Sequence, residues 1–520
     1  MTREQMLDRI QEHREPWDLL VIGGGATGVG AAVDAASRGY DVLLLEQSDF
    51  GKGTSSRSTK LVHGGVRYLQ QGNVPLVMEA LHERGLLRRN APHLVRELAF
   101  IVPNYLWWEA PFYGIGMRVY DMLAGRHGFG HSRNLTTDEV LRRIPTLEQE
   151  GLRGGVLYHD GQFDDSRLLI DLVHTAAARG GCLLNYAPVL RLTKDGGGYV
   201  NGAVFRDDQA GREHEVTAKC VINATGAFAD AVRRKDDPAA APIIAPSQGV
   251  HIVLPKRFLG GDTAIMVPRT RDARVMFAIP WHDHTVVGTT DTPITEVSLE
   301  PRPLSEEIDF ILETASGYLS APPGRDDVLS VFAGIRPLVK AGEAGSTAAL
   351  SREHTIQISK AGLVTIAGGK WTTYRRMAED CVNHAATLAG LDERPCVTKD
   401  LRIHGYHPSP PQFGAYADYG EEALALAGLV EGRPDLNAVL SEAAPIRAAQ
   451  VYWAVHHEMA CTVDDVLARR TRLLSLDAKA AMALAPAVAR LMAVELRRDE
   501  AWQREQVADF NTIAERYLPS

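Results

Sequence analysis

Two short apolar runs near the start of the chain predict buried strands. Residues 18–22 and 41–46 are each too short for a helix and are bounded by glycine or polar residues. Between them, residues 26–38 are rich in alanine and valine and stop before Gly39, as helices often do. This strand–helix–strand order predicts the beginning of a parallel, doubly wound sheet.

The spacing of apolar residues, and with it the predicted type of element, changes further along the chain. Residues 151–245 and 331–390 return to strand and helix patterns, whereas residues 91–150 are irregular and aromatic. Residues 246–330 hold strand-like runs that fit a mostly antiparallel sheet. Beyond a proline-rich loop at 408–411 the apolar spacing is helical. We therefore predict an α/β fold with a leading helix (1–16), a discontinuous Rossmann-like dinucleotide-binding domain (17–90, 151–245 and 331–390), an antiparallel-sheet substrate or cap domain (91–150 and 246–330) and a separate all-helical C-terminal domain (391–520).

Composition and charge exclude several classes of protein. The 520 residues are 45% hydrophobic and 23% charged, which are ordinary globular values. The net charge is −9, from 56 basic and 65 acidic residues, so we expect no nucleic-acid partner. The five cysteines form no CxxC pair, which argues against a disulfide framework or a zinc ribbon and favours a reducing compartment.

The same pattern predicts a cytoplasmic protein that at most lies on a membrane surface. The first 18 residues are charged throughout and lack the apolar core of a secretory signal. No run of 18 apolar residues occurs in the sequence, so we expect no membrane-spanning helix. The aromatic pair Trp107 and Trp108 fits either a protein core or a membrane-facing surface.

A glycine-rich turn after the first predicted strand carries specific chemistry. Gly23, Gly25 and Gly28 form a G-x-G-x-x-G motif, and Glu46 ends the second strand. The glycines permit close approach of a pyrophosphate, the helix N-terminus attracts its charge, and the acid can accept hydrogen bonds from a ribose. We predict a dinucleotide site here rather than a tightly packed turn. No second such motif follows a strand, which disfavours direct coupling to NADPH.

Later segments favour a flavin as that dinucleotide. Residues 53–60 are rich in hydroxyl groups, and residues 63–68 hold a histidine, two glycines, an arginine and a tyrosine. The predicted strands that end at 221–226 and 365–370 finish in small residues, and the helix after the second one would stabilise a reduced flavin ring. Taken alone, each of these two strand ends also fits an ordinary sheet.

Together these motifs resemble the FAD-dependent glycerol-3-phosphate dehydrogenases, which are flavoproteins built like D-amino-acid oxidase. The resemblance extends from residue 16 to about 510. The matching pieces include TSSRSTKLVHGGVRYL at 54–69, NATG at 223–226, GTTDTP at 288–293, FAGIRPL at 332–338, SRE at 351–353 and GGKWTTYRRMAED at 368–380. It implies FAD as the cofactor, oxidation of sn-glycerol 3-phosphate to dihydroxyacetone phosphate by hydride transfer to FAD, and a membrane quinone as electron acceptor in glycerol catabolism.

The resemblance and the chemistry of the motifs define the expected contacts. We expect contacts to FAD from Gly23, Gly25, Ala26, Thr27, Gly28, Glu46, Thr54, Ser55, Ser56, Ser58, Lys60, Leu61, His63, Gly64, Gly65, Gly226, Gly334, Gly369, Lys370 and Thr372. We expect contacts to the substrate from Arg67, Tyr68, Thr290, Arg336, Arg352 and Lys370. The cations among them suit a phosphate, which carries close to two negative charges near neutral pH.

Oxidation of an alcohol also needs a base. An alcohol and a histidine differ by roughly 9 pKa units, so the proton must leave as the hydride departs, to a base already within hydrogen-bond reach. His63 is our first candidate because it precedes the two glycines beside the expected flavin edge, and His251 is the second. We count Arg336 with them as catalytic. We expect no metal site, because His456 and His457 lack the spacing of a ligand pair on a helix.

Three alternatives remain open. A glycerol-3-phosphate oxidase would use oxygen in place of quinone and have the same fold. An amine or amino-acid oxidase would need one carboxylate-binding arginine rather than several cations. A flavin-stabilised scaffold without activity would have no need of His63, Arg67, Arg336 and Lys370. We also expect a homodimer with peripheral attachment to the membrane.

Overall fold

The computed structural model describes residues 1–70, 72–271, 274–340, 354–441 and 445–519, without the side chains of Arg67 and Gln70. Its strands are β1 (Trp17–Ile22), β2 (Val42–Leu45), β3 (Leu61–Val62), β4 (Val95–Pro103), β5 (Arg133–Leu135), β6 (Gly155–Phe163), β7 (Cys182–Leu184), β8 (Val189–Lys194), β9 (Val200–Asp207), β10 (Arg212–Asn223), β11 (Ile244–Pro255), β12 (Ala264–Val267), β13 (Met276–Trp281), β14 (His284–Gly288), β15 (Thr292–Pro293), β16 (Ser330–Val339), β17 (His354–Ile358) and β18 (Val364–Gly368).

The α-helices run between and after these strands. They are α1 (Arg3–Glu12), α2 (Ala26–Ser37), α3 (Val66–Gln70), α4 (Val74–Asn90), α5 (Glu109–Ala124), α6 (Thr137–Arg143), α7 (Asp165–Ala178), α8 (Ala229–Asp236), α9 (Ser305–Ser316), α10 (Tyr374–Leu388), α11 (Glu422–Gly432), α12 (Ala448–His457), α13 (Leu473–Leu476), α14 (Ala478–Leu496) and α15 (Glu500–Ala514). A π-helical segment, Asp465–Arg470, precedes α13.

A largely parallel sheet forms one of the two main sheets of the fold. Its order is β17-β18-β10-β1-β2-β7, and the neighbours from β18 to β7 pair in parallel. The residues of β2 are buried on both faces, which explains why this strand is a continuous apolar run rather than an alternating one. Helices α2 and α7 pack against each other beside the sheet. The predicted α/β domain with a parallel sheet is therefore confirmed.

A second sheet contains the segments predicted as the cap, together with three strands from the ranges that we assigned to the dinucleotide-binding domain. Its order is β15-β11-β14-β13-β12-β4-β6-β3, with β16 on β11 and β5 on β6. Most neighbours are antiparallel, although β12 and β4 are parallel. The strands β3, β6 and β16 thus pair in this sheet and not in the parallel one. An apolar run shows that a strand is buried but not which sheet buries it.

The C-terminal helices pack on the second sheet. They share one hydrophobic core with it, in which Phe100 and Met266 from strands belong to the same cluster as Leu467 and Leu484. Backbone contacts support this packing, because Ala478 N–H donates to the Leu329 carbonyl at 3.1 Å. The predicted helical C-terminal part is confirmed, and its shared core with the second sheet was not predicted.

Among the residues that the structure describes, none of the helices has the length and apolar character needed to cross a membrane.

Candidate active site

A cavity of about 510 Å³ lies at the carboxyl edge of the parallel sheet. Residues that end β1 and β10 line one side of it, and residues of β11 and β16 from the second sheet line the other. Ligands of open α/β sheets bind at this edge, because the strand ends and helix N-termini meet there. The cavity is therefore the place to look for the predicted dinucleotide.

The glycine turn brings the N-terminus of α2 to the cavity wall. Gly23 has φ of +113°, and a Cβ there would lie 2.7 Å from the Ala224 carbonyl oxygen. Gly25, Ala26 and Thr27 line the cavity, and Gly25 provides no side-chain cap for the helix. The partial positive charge of the helix N-terminus thus faces the site, as a pyrophosphate requires.

Glu46 lies at the end of β2, on the cavity wall. Its carboxylate accepts hydrogen bonds from Gly24 N–H at 2.6 Å and Ser48 N–H at 2.9 Å. Burial raises the pKa of Glu46 above its usual value, although the two N–H donors act in the opposite direction. This position agrees with the predicted role of an acceptor for ribose hydroxyl groups.

The hydroxyl-rich stretch at 53–60 closes over the helix N-terminus. Ser55 Oγ accepts a hydrogen bond from Ala26 N–H at 2.9 Å, and the Ser55 carbonyl accepts one from Trp371 Nε1 at 2.8 Å. Thr54 Oγ1 donates to the Ile335 carbonyl at 2.5 Å. Backbone donors, hydroxyl groups and glycines therefore surround the cavity, and this set of groups fits FAD.

A polar group of side chains gathers at the other wall of the cavity. It consists of His63, Tyr68, His251, Arg336 and Lys370. Lys370 Nζ lies 3.9 Å from the centroid of the Tyr68 ring, which is the distance of a close cation–π contact. The sequence predicted all five as catalytic or substrate-binding residues, and the structure brings them together.

Arg336 is held from β11 and from the loop after β14. Its Nη1 donates to the Gln248 carbonyl at 3.3 Å. Its other contacts are to the Thr290 carbonyl at 2.9 Å, Thr289 Oγ1 at 3.2 Å and Asp291 Oδ1 at 3.3 Å. The guanidinium therefore has a defined orientation and remains partly exposed, with 21% of its side-chain surface accessible.

His251 is 3% exposed and stacks on Phe332, with the ring centroids 4.9 Å apart. Its Nε2 lies 2.9 Å from Thr59 Oγ1, and Thr59 also lines the cavity. Burial, and then the nearby charges of Arg336 and Lys60, hold the pKa of His251 well below its usual value. His251 is thus neutral near pH 7.

His63 is placed by the segment that begins α10. Its backbone N–H donates to Thr372 Oγ1 at 3.3 Å, and its ring lies 6.3 Å from that of Phe277. Both candidate bases, His63 and His251, therefore line the same cavity, although they lie far apart in the sequence.

Several of the predicted residues do not line the cavity. Lys60 Nζ does not line the cavity, because it is buried in an ion pair with Asp165 at 2.8 Å. Thr290 Oγ1 donates to the buried Glu307 at 2.9 Å instead of lining the cavity. Gly28, Ser56, Gly64 and Gly65 also lie outside the lining residues, and a Cβ at Gly28 would lie 1.9 Å from the Gly23 carbonyl oxygen. A Cβ at Gly64 or Gly65 would also lie within 2.6 Å of a neighbouring side chain, so these glycines permit close packing around the site.

Two predicted residues cannot be placed. Arg352 lies outside the described residues, and only the backbone of Arg67 is described, in α3.

Other lining residues were missed by the sequence reasoning. They are Gln47, Lys52, Arg57, Thr59, Val189, Lys235, Gly249 and Trp371, among others. Arg57 and Thr59 lie inside the recognised 54–69 motif, so their position in that motif was a usable signal. Val189 and Lys235 lie on β8 and α8 and carry no local signal.

One group of potential metal ligands occurs in the described part of the chain. Single ligand atoms of Asp164, His282 and Asp418 lie within 4.8 Å of one another. Arg472 already contacts both carboxylates, with Nε 2.8 Å from Asp164 and Nη2 2.6 Å from Asp418. A guanidinium therefore supplies the positive charge at this position.

Comparison with known proteins agrees with the geometry. Residues 18–375 match the family of FAD dependent oxidoreductases, and residues 414–503 match the C-terminal domain of alpha-glycerophosphate oxidase. The mitochondrial glycerol-3-phosphate dehydrogenase of Homo sapiens is 42% identical over 97% of this chain and 74% of its own length. The glycerol-3-phosphate dehydrogenase of Bacillus halodurans, solved in complex with FAD, is 30% identical with a TM-score of 0.80 over 99% of this chain and 98% of that one. The L-alpha-glycerophosphate oxidase of Mycoplasma pneumoniae is 15% identical with a TM-score of 0.55, and shares the fold.

The parallel sheet, its glycine turn and the cavity at its carboxyl edge define an FAD-dependent oxidoreductase. FAD is its cofactor. Similarity over almost the whole length of the chain also identifies the narrower family: the chain belongs to the glycerol-3-phosphate dehydrogenases. The predicted family, fold class and cofactor are thereby confirmed.

Proposed function

We propose that the protein oxidises sn-glycerol 3-phosphate to dihydroxyacetone phosphate and passes the electrons to a membrane quinone, as a step in glycerol catabolism. The gathering of Arg336, Lys370 and two histidines on one cavity wall carries this proposal. A phosphate dianion needs cationic donors, and Arg336 offers a planar one that is already oriented. Bound FAD supplies the hydride acceptor. The names of the relatives support the same substrate.

The two histidines divide the remaining work. Burial holds the pKa of His251 well below its usual value, so its ring is neutral near pH 7 but a weak proton acceptor. Thr59 fixes the ring orientation through the 2.9 Å contact to Nε2, which suits His251 to orient the hydroxyl group. His63, on the same cavity wall, is the proposed base. Tyr68 carries the Lys370 ammonium on its ring and so holds this cation beside the substrate.

The quinone part of the proposal rests on an apolar surface of the cap. Around α5, large apolar side chains are exposed: Leu106, Trp107, Trp108, Phe112, Ile115 and Met122. Arg118 and Arg126 are exposed beside them. Aromatic residues with flanking arginines suit the interface of an anionic lipid membrane, where a quinone is dissolved. We therefore propose peripheral attachment through this surface, which we call the α5 face.

An anaerobic absorbance spectrum of the FAD-loaded protein tests the substrate. We expect sn-glycerol 3-phosphate to bleach the flavin band of the wild type within the time of mixing. Arg336→Gln should require at least a tenfold higher substrate concentration, because it removes the oriented cation. Arg257→Gln is the matched control, since Arg257 is 63% exposed and pairs with Asp327 at 2.6 Å on the surface; it should behave as the wild type. A flavin band that sn-glycerol 3-phosphate does not bleach would sink the proposal.

The same sample distinguishes the acceptors. After bleaching, we expect a soluble quinone analogue to restore the colour at least tenfold faster than air does. Rapid recovery in air would instead make the protein a glycerol-3-phosphate oxidase.

A further inference from the structure

The segment 47–57, which follows β2, forms a large part of the cofactor cavity. It includes the lining residues Gln47, Lys52, Thr54, Ser55 and Arg57. We call this segment the cofactor loop. It has little regular structure of its own, with a single 3₁₀ turn at Thr54–Ser56. Its shape therefore depends on what packs against it.

The C-terminal helices contact the cofactor loop through a buried ion pair. Asp49 is 0% exposed and accepts hydrogen bonds from Arg469 Nε at 2.5 Å and from Arg470 Nη1 at 2.7 Å and Nη2 at 2.9 Å. Both arginines lie in the π-helical segment, more than 400 residues along the chain from Asp49. A carboxylate bonded by two guanidinium groups is fixed in position and direction.

The neighbouring charges of the loop are neutralised from the same place. Lys52 Nζ lies 3.0 Å from Asp464 Oδ2, and Asp464 in turn accepts from Arg469 Nη2 at 2.8 Å. Burial alone would raise the pKa of Asp49, but the guanidinium groups of Arg470 and Arg469 hold it below its usual value. The carboxylate is therefore charged in the folded protein, and the pairing is ionic.

A second contact joins the far end of the loop to the last helices. Arg57 Nη2 donates to Glu300 at 2.7 Å, and its guanidinium lies 5.9 Å from the centroid of the Tyr517 ring. Arg516 Nη1 donates to the Glu300 carbonyl at 3.0 Å. Both ends of the cofactor loop are thus attached to residues near the C-terminus.

We propose that the C-terminal helices hold the cofactor loop in its FAD-binding shape, with Asp49, Arg469, Arg470 and Asp464 as positioning residues for FAD retention. None of the four lines the cavity, so they act through Lys52 and the backbone of the loop. The inference rests on FAD as the cofactor and not on the identity of the substrate. The helices would then serve cofactor binding as well as packing.

The test is the FAD dissociation constant of the full chain, measured by quenching of flavin fluorescence at a temperature where circular dichroism shows each variant folded. Asp49→Asn keeps the side-chain shape and removes the charge. We expect its dissociation constant to rise at least tenfold. Asp464→Asn is milder because Arg469 keeps Asp49 and Asp465 as partners, and we expect at least a threefold rise. The milder variant carries the test if Asp49→Asn does not fold.

Asp171→Asn is the matched control. Asp171 is 2% exposed and pairs with Arg167 at 2.8 Å, and Arg167 reaches Glu458 of the C-terminal part at 2.6 Å. It therefore loses a comparable buried charge at the same boundary, one that is linked to Arg470 only indirectly, through Arg167 and Glu458. We expect a lower unfolding temperature with a dissociation constant within twofold of the wild type. The proposal is overturned if this control weakens FAD binding as much as the loop variants do, or if both loop variants bind FAD like the wild type.

Discussion

The guanidinium of Arg336 occupies the space that a side chain at position 249 would need. A Cβ at Gly249 would lie 2.5 to 2.7 Å from its atoms. Gly249→Ala should therefore displace the guanidinium from the Gln248 and Thr290 carbonyls. We expect the KM for sn-glycerol 3-phosphate to rise roughly tenfold, or about 1.4 kcal/mol of binding, with an unchanged FAD content. Steady-state kinetics with an artificial acceptor and the flavin-to-protein absorbance ratio measure both.

Gly428→Ala provides the comparison for that variant, because nothing lies within 4 Å of a Cβ at this exposed position of α11. An unchanged KM in Gly249→Ala would show that Arg336 does not bind the phosphate in this orientation.

His251 makes the stability of the protein depend on pH. Its folded pKa is depressed, so the unfolded chain binds a proton below about 6.5 that the folded chain refuses. Stability is therefore lost as the pH falls through 6.5, down to the folded pKa. We expect the wild type to lose about 1 kcal/mol more than His251→Asn between pH 6.5 and 5.5. Urea unfolding at both pH values measures this, and equal losses would contradict a buried neutral His251.

Single residues could be predicted where a motif states both the residue and its neighbours. His63, Arg336 and Lys370 were found in this way, and they line one cavity. Lys60 and Thr290 were misplaced for a physical reason. Lys60 is bound by Asp165, 105 residues away, and Thr290 by Glu307 on another element. A polar residue in a motif pairs with the partner that the fold places beside it, and that partner cannot be identified from the local sequence.

At the scale of elements, α5 carries a prediction about the membrane. Trp107 is 78% exposed, Phe112 54% and Ile115 63%. Replacing all three by serine should weaken binding to vesicles that contain phosphatidylglycerol at least tenfold. A tenfold loss is about 1.4 kcal/mol, less than burial of one large apolar side chain contributes. Vesicle sedimentation measures the binding, and activity with a soluble acceptor should stay unchanged.

Leu424→Ser with Val494→Ser is the control for the α5 face, since these apolar side chains are 61% and 74% exposed on α11 and α14. Equal loss of vesicle binding in both variants would mean that general surface hydrophobicity, rather than the α5 face, attaches the protein.

The type of an element, helix or strand, was easier to predict from the sequence than the strands with which it pairs. The β1–α2–β2 unit was read from its period and its glycines, because these are local features. The strands β3, β6 and β16 were not recognised as strands, and their residues were assigned to the dinucleotide-binding domain. Their pairing to β6, β4 and β11 is a long-range property that apolar periodicity does not contain.

At the scale of the whole molecule, the α/β fold and the helical C-terminal part were predictable, and their connection was not. Pro408, Pro410 and Pro411 suggested a linker to an independent domain. The helices instead complete the core of the second sheet and bind the cofactor loop. Prolines in a loop show that the loop is not helical, but they do not show how the segments on either side pack. The apolar faces of α13 and α14 determine where these helices pack.

The strand order of the first sheet has a consequence for how the protein is made. Strand β1, near the start of the chain, pairs with β10, and β10 pairs with β18 near residue 364. A ribosome adds about 5–20 residues per second, so the first strands wait on the order of tens of seconds for their neighbours. The arginines that bind Asp49 emerge later still. Loading with flavin is therefore among the last events of the protein's biosynthesis, and the nascent chain must keep its apolar strands from aggregating until then.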